Sequence, residues 1–177
     1  MSLKKDGFLE RFSALSSGST LSFNKNIILS KVAITRAEKL AMFNELKARE
    51  AEGFLGKDKD GEYKAGRPNS GGDHLKFKWY KTASFIVANH TKGKRSVGLE
   101  LIDAGGNRTS VGKATIPPNK DVPAIGAVVE VEYLYAHRGT NAIFQSKYLK
   151  PRTVVSVDEC KLTQLIYKEE LTDDDES

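Results

Sequence analysis

The chain is poor in cysteine, tryptophan and long apolar runs. Among its 177 residues Cys160 is the one cysteine, Trp79 the one tryptophan, and no apolar run approaches 18 residues. A lone cysteine excludes an internal disulfide and a thiolate metal cluster, and fits the reducing cytoplasm. Without a long apolar run no helix spans a membrane, so no membrane partner is expected. Met1-Ser-Leu-Lys-Lys-Asp6 lacks the apolar stretch that a secretory signal needs behind its lysines. Compositional bias is missing too. At 39% hydrophobic and 29% charged, with 15 Gly and 5 Pro, the chain falls in the globular range, which excludes collagen-like repeats and wholesale disorder.

What is present is positive charge, unevenly spread. The net charge is +5, yet residues 169–177 carry six acids (Glu169, Glu170, Asp173, Asp174, Asp175, Glu176) and no Lys or Arg. Setting them aside leaves 28 basic against 17 acidic residues, +11 on residues 1–168. Such a body suits a polyanion, nucleic acid or nucleotide phosphate, although a lysine-rich soluble surface reads the same way.

Spacing places the elements. Phe8, Leu9, Phe12 and Leu15 predict a short helix, Ser13–Ser22 a loop, and Asn26–Ile34 a strand. Thr35-Arg36-Ala37-Glu38 is a capping box opening a helix to about Glu50, with Ala37, Leu40, Phe43 and Leu46 on one face. Gly53–Lys57 and Leu75–Trp79 read as strands around a long polar loop, 58–74, holding five Gly or Pro. From Ala83 the chain reads as five short strands, Ala83–Asn89, Ser96–Leu101, Arg108–Ala114, Val128–Tyr135 and Ala142–Tyr148, with turn signals between them. Five such strands suggest a small barrel of the OB type. The fold class is therefore α+β: an α+β piece over 1–82, a five-stranded barrel over 83–160 and an acidic tail over 161–177.

Several strings fail as sites. Asn107–Thr115 lacks the first glycine of a phosphate-binding loop, having Asn107 there. Asp58, Asp60 and Glu62 alternate, but the glycine falls one residue early for a calcium loop. His74, His90 and His137 have no metal-ligand spacing. Two strings remain: Glu52-Gly53-Phe54-Leu55-Gly56-Lys57 and Leu75-Lys76-Phe77-Lys78-Trp79. Lys76 and Lys78 lie two apart and so share one strand face, with Leu75, Phe77 and Trp79 turned into a core on the other. Two adjacent ammonium groups repel, so the pair makes sense around a phosphate; a basic edge strand is the plainer reading. Glu52 and Lys57 would point to opposite faces of a regular strand unless Gly53 and Gly56 permit a bend.

These strings, in order with Tyr63-Lys64-Ala65-Gly66-Arg67 between them and a barrel behind, resemble ATP-dependent DNA ligases of the covalent nucleotidyltransferase superfamily. Glu52–Lys57 is similar to motif IV and Lys76–Lys78 to motif V, and the resemblance covers roughly residues 24–160. It implies a partial adenylation (nucleotidyltransferase) subdomain followed by the OB-fold. It further implies a reaction in which a lysine takes AMP from ATP, passes it to the 5′-phosphate at a nick, and a 3′-hydroxyl displaces it. Glu52 would bind Mg²⁺, Lys76 and Lys78 would be catalytic and hold the α-phosphate, Lys57 would join the nucleotide site, and Phe54 or Leu55 would pack on adenine. Nicked duplex DNA would be the partner, with Arg67, Lys92, Lys94, Arg95 and Arg138 as phosphate contacts.

The departures from the family pattern carry an expectation of their own. The nucleophile belongs in a K-x-D-G motif far upstream of motif IV. Lys4-Lys5-Asp6-Gly7 spells it, but only about 45 residues separate it from Glu52. Asp60-Gly61-Glu62 follows motif IV where the acidic motif III should precede it, and His74 stands where an aromatic is usual. The chain is therefore expected to be the C-terminal portion of a ligase, unable to adenylylate itself, its partner the missing N-terminal part of the adenylation domain. The alternatives are a non-catalytic OB-fold module that binds nucleic acid, or an RNA ligase or capping-type relative. Phe85, Tyr133, Tyr135, Phe144 and Tyr148 are few and several of them are needed in the barrel core, which argues against a base-stacking module.

Overall fold

The computed structural model describes residues 5–17, 29–66 and 72–168, which belong to two units, one ending at Trp79 and one beginning at Tyr80. The first unit holds α1 (Phe8–Ser17), α2 (Arg36–Ala48), β1 (Gly53–Lys57) and β2 (His74–Lys78). Helix α1 runs through Ser13–Ser17, where the sequence predicts loop. The Ser16 and Ser17 hydroxyls donate to the Ser13 carbonyl at 3.0 and 2.7 Å, so these serines bond within the helix instead of leaving it. Residues 29–34 form no strand, contrary to expectation, and 26–28 lie outside the described residues. The capping box explains the difference. Glu38 accepts from the N–H groups of Ile34 (2.9 Å) and Thr35 (2.8 Å), donors that a ladder would need.

β1 and β2 pair antiparallel without a bulge, from Gly53↔Lys78 to Lys57↔His74. Phe43 of α2 meets Phe54 and Trp79, with ring centroids 6.1 and 5.7 Å apart. No described residue of this unit is fully buried, and the expected core behind β2 is missing: Leu75 is 62% and Phe77 47% exposed.

The second unit holds the core. Its strands are β3 (Lys81–His90), β4 (Ser96–Ile102), β5 (Arg108–Thr115), β6 (Val128–Tyr133), β7 (Tyr135–Ala136), β8 (Ile143–Phe144) and β9 (Lys147–Pro151). The order β3-β4-β5-β9-β6, with β6 pairing back to β3, closes a five-stranded sheet on itself. Its one parallel pair, β5 with β9, joins Thr115 to Lys147. Alternating residues fill it, among them Val97, Leu99, Leu101, Val129, Val131 and Tyr133, together with Phe85 and Tyr148. The strand predicted over Ala142–Tyr148 is two strands, because Gln145 adopts a left-handed φ of 52° and breaks the run.

Residues 161–168, read as tail, are docked. Leu165 is buried, and the Gln164 side-chain amide accepts from Ser84 N–H (2.9 Å) and donates to Ser84 C=O (3.0 Å), standing in for a strand. Ser84–Val87 are consecutively buried because both faces of β3 are covered. Among the described residues no helix is long and apolar enough to cross a membrane.

Candidate phosphate-binding site

The β1–β2 register sorts the expected site residues onto two faces. Lys76 stands opposite Leu55 and Lys78 opposite Gly53, so both lysines share a face with Leu55 and Lys57. Phe54 and Phe77 lie on the other face, stacked at 4.9 Å and 16°, with Trp79 edge-on to both. Of the two candidates for adenine packing, Leu55 lies with the lysines. Phe54 is turned away and held among Phe43, Phe77 and Trp79.

Glu52 sits just before β1, and its main chain extends the ladder by accepting from Trp79 N–H at 3.1 Å. Its carboxylate accepts from the Lys78 ammonium at 2.5 Å, with Lys78 25% and Glu52 45% exposed. Strand alternation alone would put Glu52 on the opposite face. Gly53 resolves this. A Cβ at Gly53 would lie 1.9 Å from the Phe77 carbonyl oxygen, so only glycine permits this approach of the two chains. Gly56, also invoked for a bend, sits in regular pairing, and a Cβ there would meet nothing closer than 3.7 Å.

The exposed Lys76 ammonium has no hydrogen bond or ion pair among the described residues. Lys57 is engaged elsewhere: its ammonium lies 4.4 Å from the Phe8 ring centroid. Phe8 was not among the expected site residues. The entry to α1 also accounts for the K-x-D-G string, whose Lys4 lies outside the described residues. Gly7 N–H donates to Glu10 at 3.1 Å, and Arg11 donates to the Asp6 and Gly61 carbonyls. Asp6-Gly7 thus form a helix entry docked on the 58–61 turn.

Arg67 lies outside the described residues. Lys92 and Lys94 are exposed in the β3–β4 turn. Arg95 is committed to structure, donating to the Pro117 carbonyl at 3.0 Å and to that of Lys120, so it pins the 117–120 turn. Arg138 is exposed, its guanidinium 5.4 Å from the Tyr167 ring. Among the described residues no group of three or more His, Cys, Asp or Glu could hold a metal. Glu52 by itself fits the use Mg²⁺ makes of proteins, one or two carboxylates with phosphate and water completing the shell.

The chain shares its fold with DNA ligases. It superposes on a Lig E DNA ligase, studied for DNA binding with a minimal scaffold, with a TM-score of 0.62 at 18% identity over 86% of this chain and 61% of that one. A structure named Pmar-Lig_PreS3 gives a TM-score of 0.50 at 16% identity over 67% of this chain and 32% of the other. The chain thus spans about three-fifths of the Lig E ligase and a third of the second structure. No protein-family model and no curated protein matches the chain.

Proposed function

We infer that the chain is the motif IV and V portion of an ATP-dependent DNA ligase together with its OB-fold, acting on nicked duplex DNA. The observation that carries this reading is the shared face of Lys76, Lys78 and Leu55, with Glu52 on Lys78, in a hairpin that precedes a five-stranded sheet. Two ammonium groups on one face supply preorganised positive charge for an α-phosphate. Leu55 offers apolar surface beside them for adenine. Glu52 holds the Lys78 ammonium in place until phosphate arrives, and is the carboxylate that would touch Mg²⁺. Bound Mg²⁺ would neutralise charge developing on the transferred phosphoryl group. The OB-fold reading is supported by the sheet order and by the parallel pair between third and fifth strands.

The exposed Leu75 and Phe77 support a further adenylation segment, with the attacking lysine, covering the first unit. On this reading the chain alone gains no AMP from ATP. A covalent, ATP-dependent mass increase on the purified chain overturns that and makes Lys4 the first residue to replace. The binding test compares nicked with unbroken duplex. The nick is favoured by wild type, and the preference falls when Lys76→Ala and Lys78→Ala are combined, with the fold intact. Equal affinity with a lowered melting temperature makes the pair structural. The second reading, a non-catalytic OB-fold module, is favoured by one observation: the barrel has its own core, whereas no described residue of the first unit is fully buried.

A further inference from the structure

We propose that the β7–β8 hairpin is a stacking site for an unpaired nucleobase. The inference rests on the reading that the second unit binds nucleic acid. Sequence alone expects several of Tyr135, Phe144, Phe85, Tyr133 and Tyr148 in the barrel core. Those last three are buried, but Phe144 is 38% exposed and Tyr135 only partly covered. Tyr135 and Phe144 pair across the hairpin, with rings stacked at 5.1 Å and 18°. The exposed His137 ring stands edge-on to both, at 5.3 and 5.8 Å. Three ring systems gathered on a surface beside an apolar core form a platform that a flat, sequence-tolerant ligand can cover.

Two cations stand at the hairpin. The Lys168 ammonium lies 5.4 Å from the Tyr135 ring centroid and Arg138 occupies the turn, while Lys147, at the start of the next strand, is ion-paired with Glu132 at 3.5 Å. The platform is also held in shape. His137 N–H donates to Ala142 C=O at 2.9 Å, Leu134 N–H to Phe144 C=O at 2.9 Å, and the Tyr167 hydroxyl to the Asn141 side chain at 2.8 Å. Ile143 packs over Gly112, whose φ of 102° suits glycine. Little ordering is therefore needed when a ligand arrives.

Position supplies the class of ligand. The hairpin connects the fourth and fifth strands of the closed sheet, and the Lys92–Lys94 turn connects the first and second. Small five-stranded barrels hold oligonucleotides with these two connections and the face between them. A continuous register, Ser96↔Thr115↔Lys147, runs from the end of the lysine turn to the end of the hairpin. Phosphates would follow Lys92 and Lys94 while one base stacks on Phe144. Bases inside a duplex have both faces covered, so the platform selects a base at a gap, an overhang or a frayed end.

The test uses the full chain, a fluorescently labelled oligothymidylate and a nicked duplex, read by anisotropy over a range of salt. Phe144→Leu keeps apolar bulk under the hairpin and removes the ring face. It is expected to weaken oligothymidylate binding about tenfold with an unchanged salt slope, and to spare the nicked duplex. Wild-type affinity in Phe144→Leu, equal weakening on both probes, or no binding of oligothymidylate by wild type each overturns the proposal. Phe144-dependent oligothymidylate binding without any nick binding sinks the ligase reading and leaves the stacking site standing.

Discussion

Gly53→Ala tests what places Glu52. The new Cβ would lie 1.9 Å from the Phe77 carbonyl oxygen and 2.9 Å from the Lys78 Cα. Real Cβ contacts stay above 3.0 Å, so β1 and β2 must separate by about an ångström where their ladder begins. Overpacking of this kind costs about 1–3 kcal/mol in well-supported structure. Here the obstruction is backbone, which cannot swing aside, and a two-stranded sheet is marginal even unstrained. With no fully buried residue among those described in the unit to offset the strain, the pairing at Gly53↔Lys78 should be lost. Trp79, the only tryptophan, reports on it directly, since its ring lies 5.7–5.8 Å from those of Phe43, Phe54 and Phe77. Near-ultraviolet circular dichroism and tryptophan fluorescence should show Trp79 losing its fixed surroundings, while far-ultraviolet melting of the barrel stays put. An unchanged Trp79 signal refutes the claim that close approach at Gly53 positions the site.

Further outcomes follow from the second unit. Leu99 is fully buried, so Leu99→Ala should destabilise the barrel by about 2–5 kcal/mol in a denaturant titration. Gln164→Ala leaves both Ser84 backbone groups unpaired and should cost about 1–3 kcal/mol, with faster hydrogen exchange at the Ser84 amide. Asp103 accepts from the Gly105 and Asn107 N–H groups at 2.8 Å, and these bonds, Asn107 first, hold its pKa below the usual 3.8. A lowered folded pKa means its stabilisation is full above 3.8 and fades as pH falls through the lower folded value. Asp103→Asn should therefore flatten the acid limb of the stability profile at pH values below 3.8.

Much of this architecture is legible as period. The alternation in Lys76-Phe77-Lys78 puts the lysines on one face, and the first four barrel strands follow their turn signals, whereas the fifth begins only at Lys147. The Thr35–Glu38 capping box forms as spelled. What escapes period is anything decided across the chain. Glu52 reaches Lys78 only because Gly53 lets another strand approach, a fact invisible within either string. Leu162–Lys168 reads as tail beside the acids of 169–177, because a side-chain amide mimicking a strand leaves no hydropathy signal. Which of the five barrel aromatics stay near the surface depends on the left-handed Gln145, which sets the Tyr135–Phe144 hairpin apart. A nine-residue spacing across Arg138-Gly139-Thr140 is the one sequence feature that could have flagged them as a cross-strand pair.

The most direct measurement of the central claim is calorimetric titration of adenosine monophosphate, with Mg²⁺, into wild type and into the combined Lys76→Ala, Lys78→Ala variant. Two charge-assisted phosphate contacts predict binding by wild type and at least about tenfold weaker binding by the variant, at an unchanged barrel melting temperature. Equal affinity of the two proteins would contradict a phosphate cradle at this hairpin.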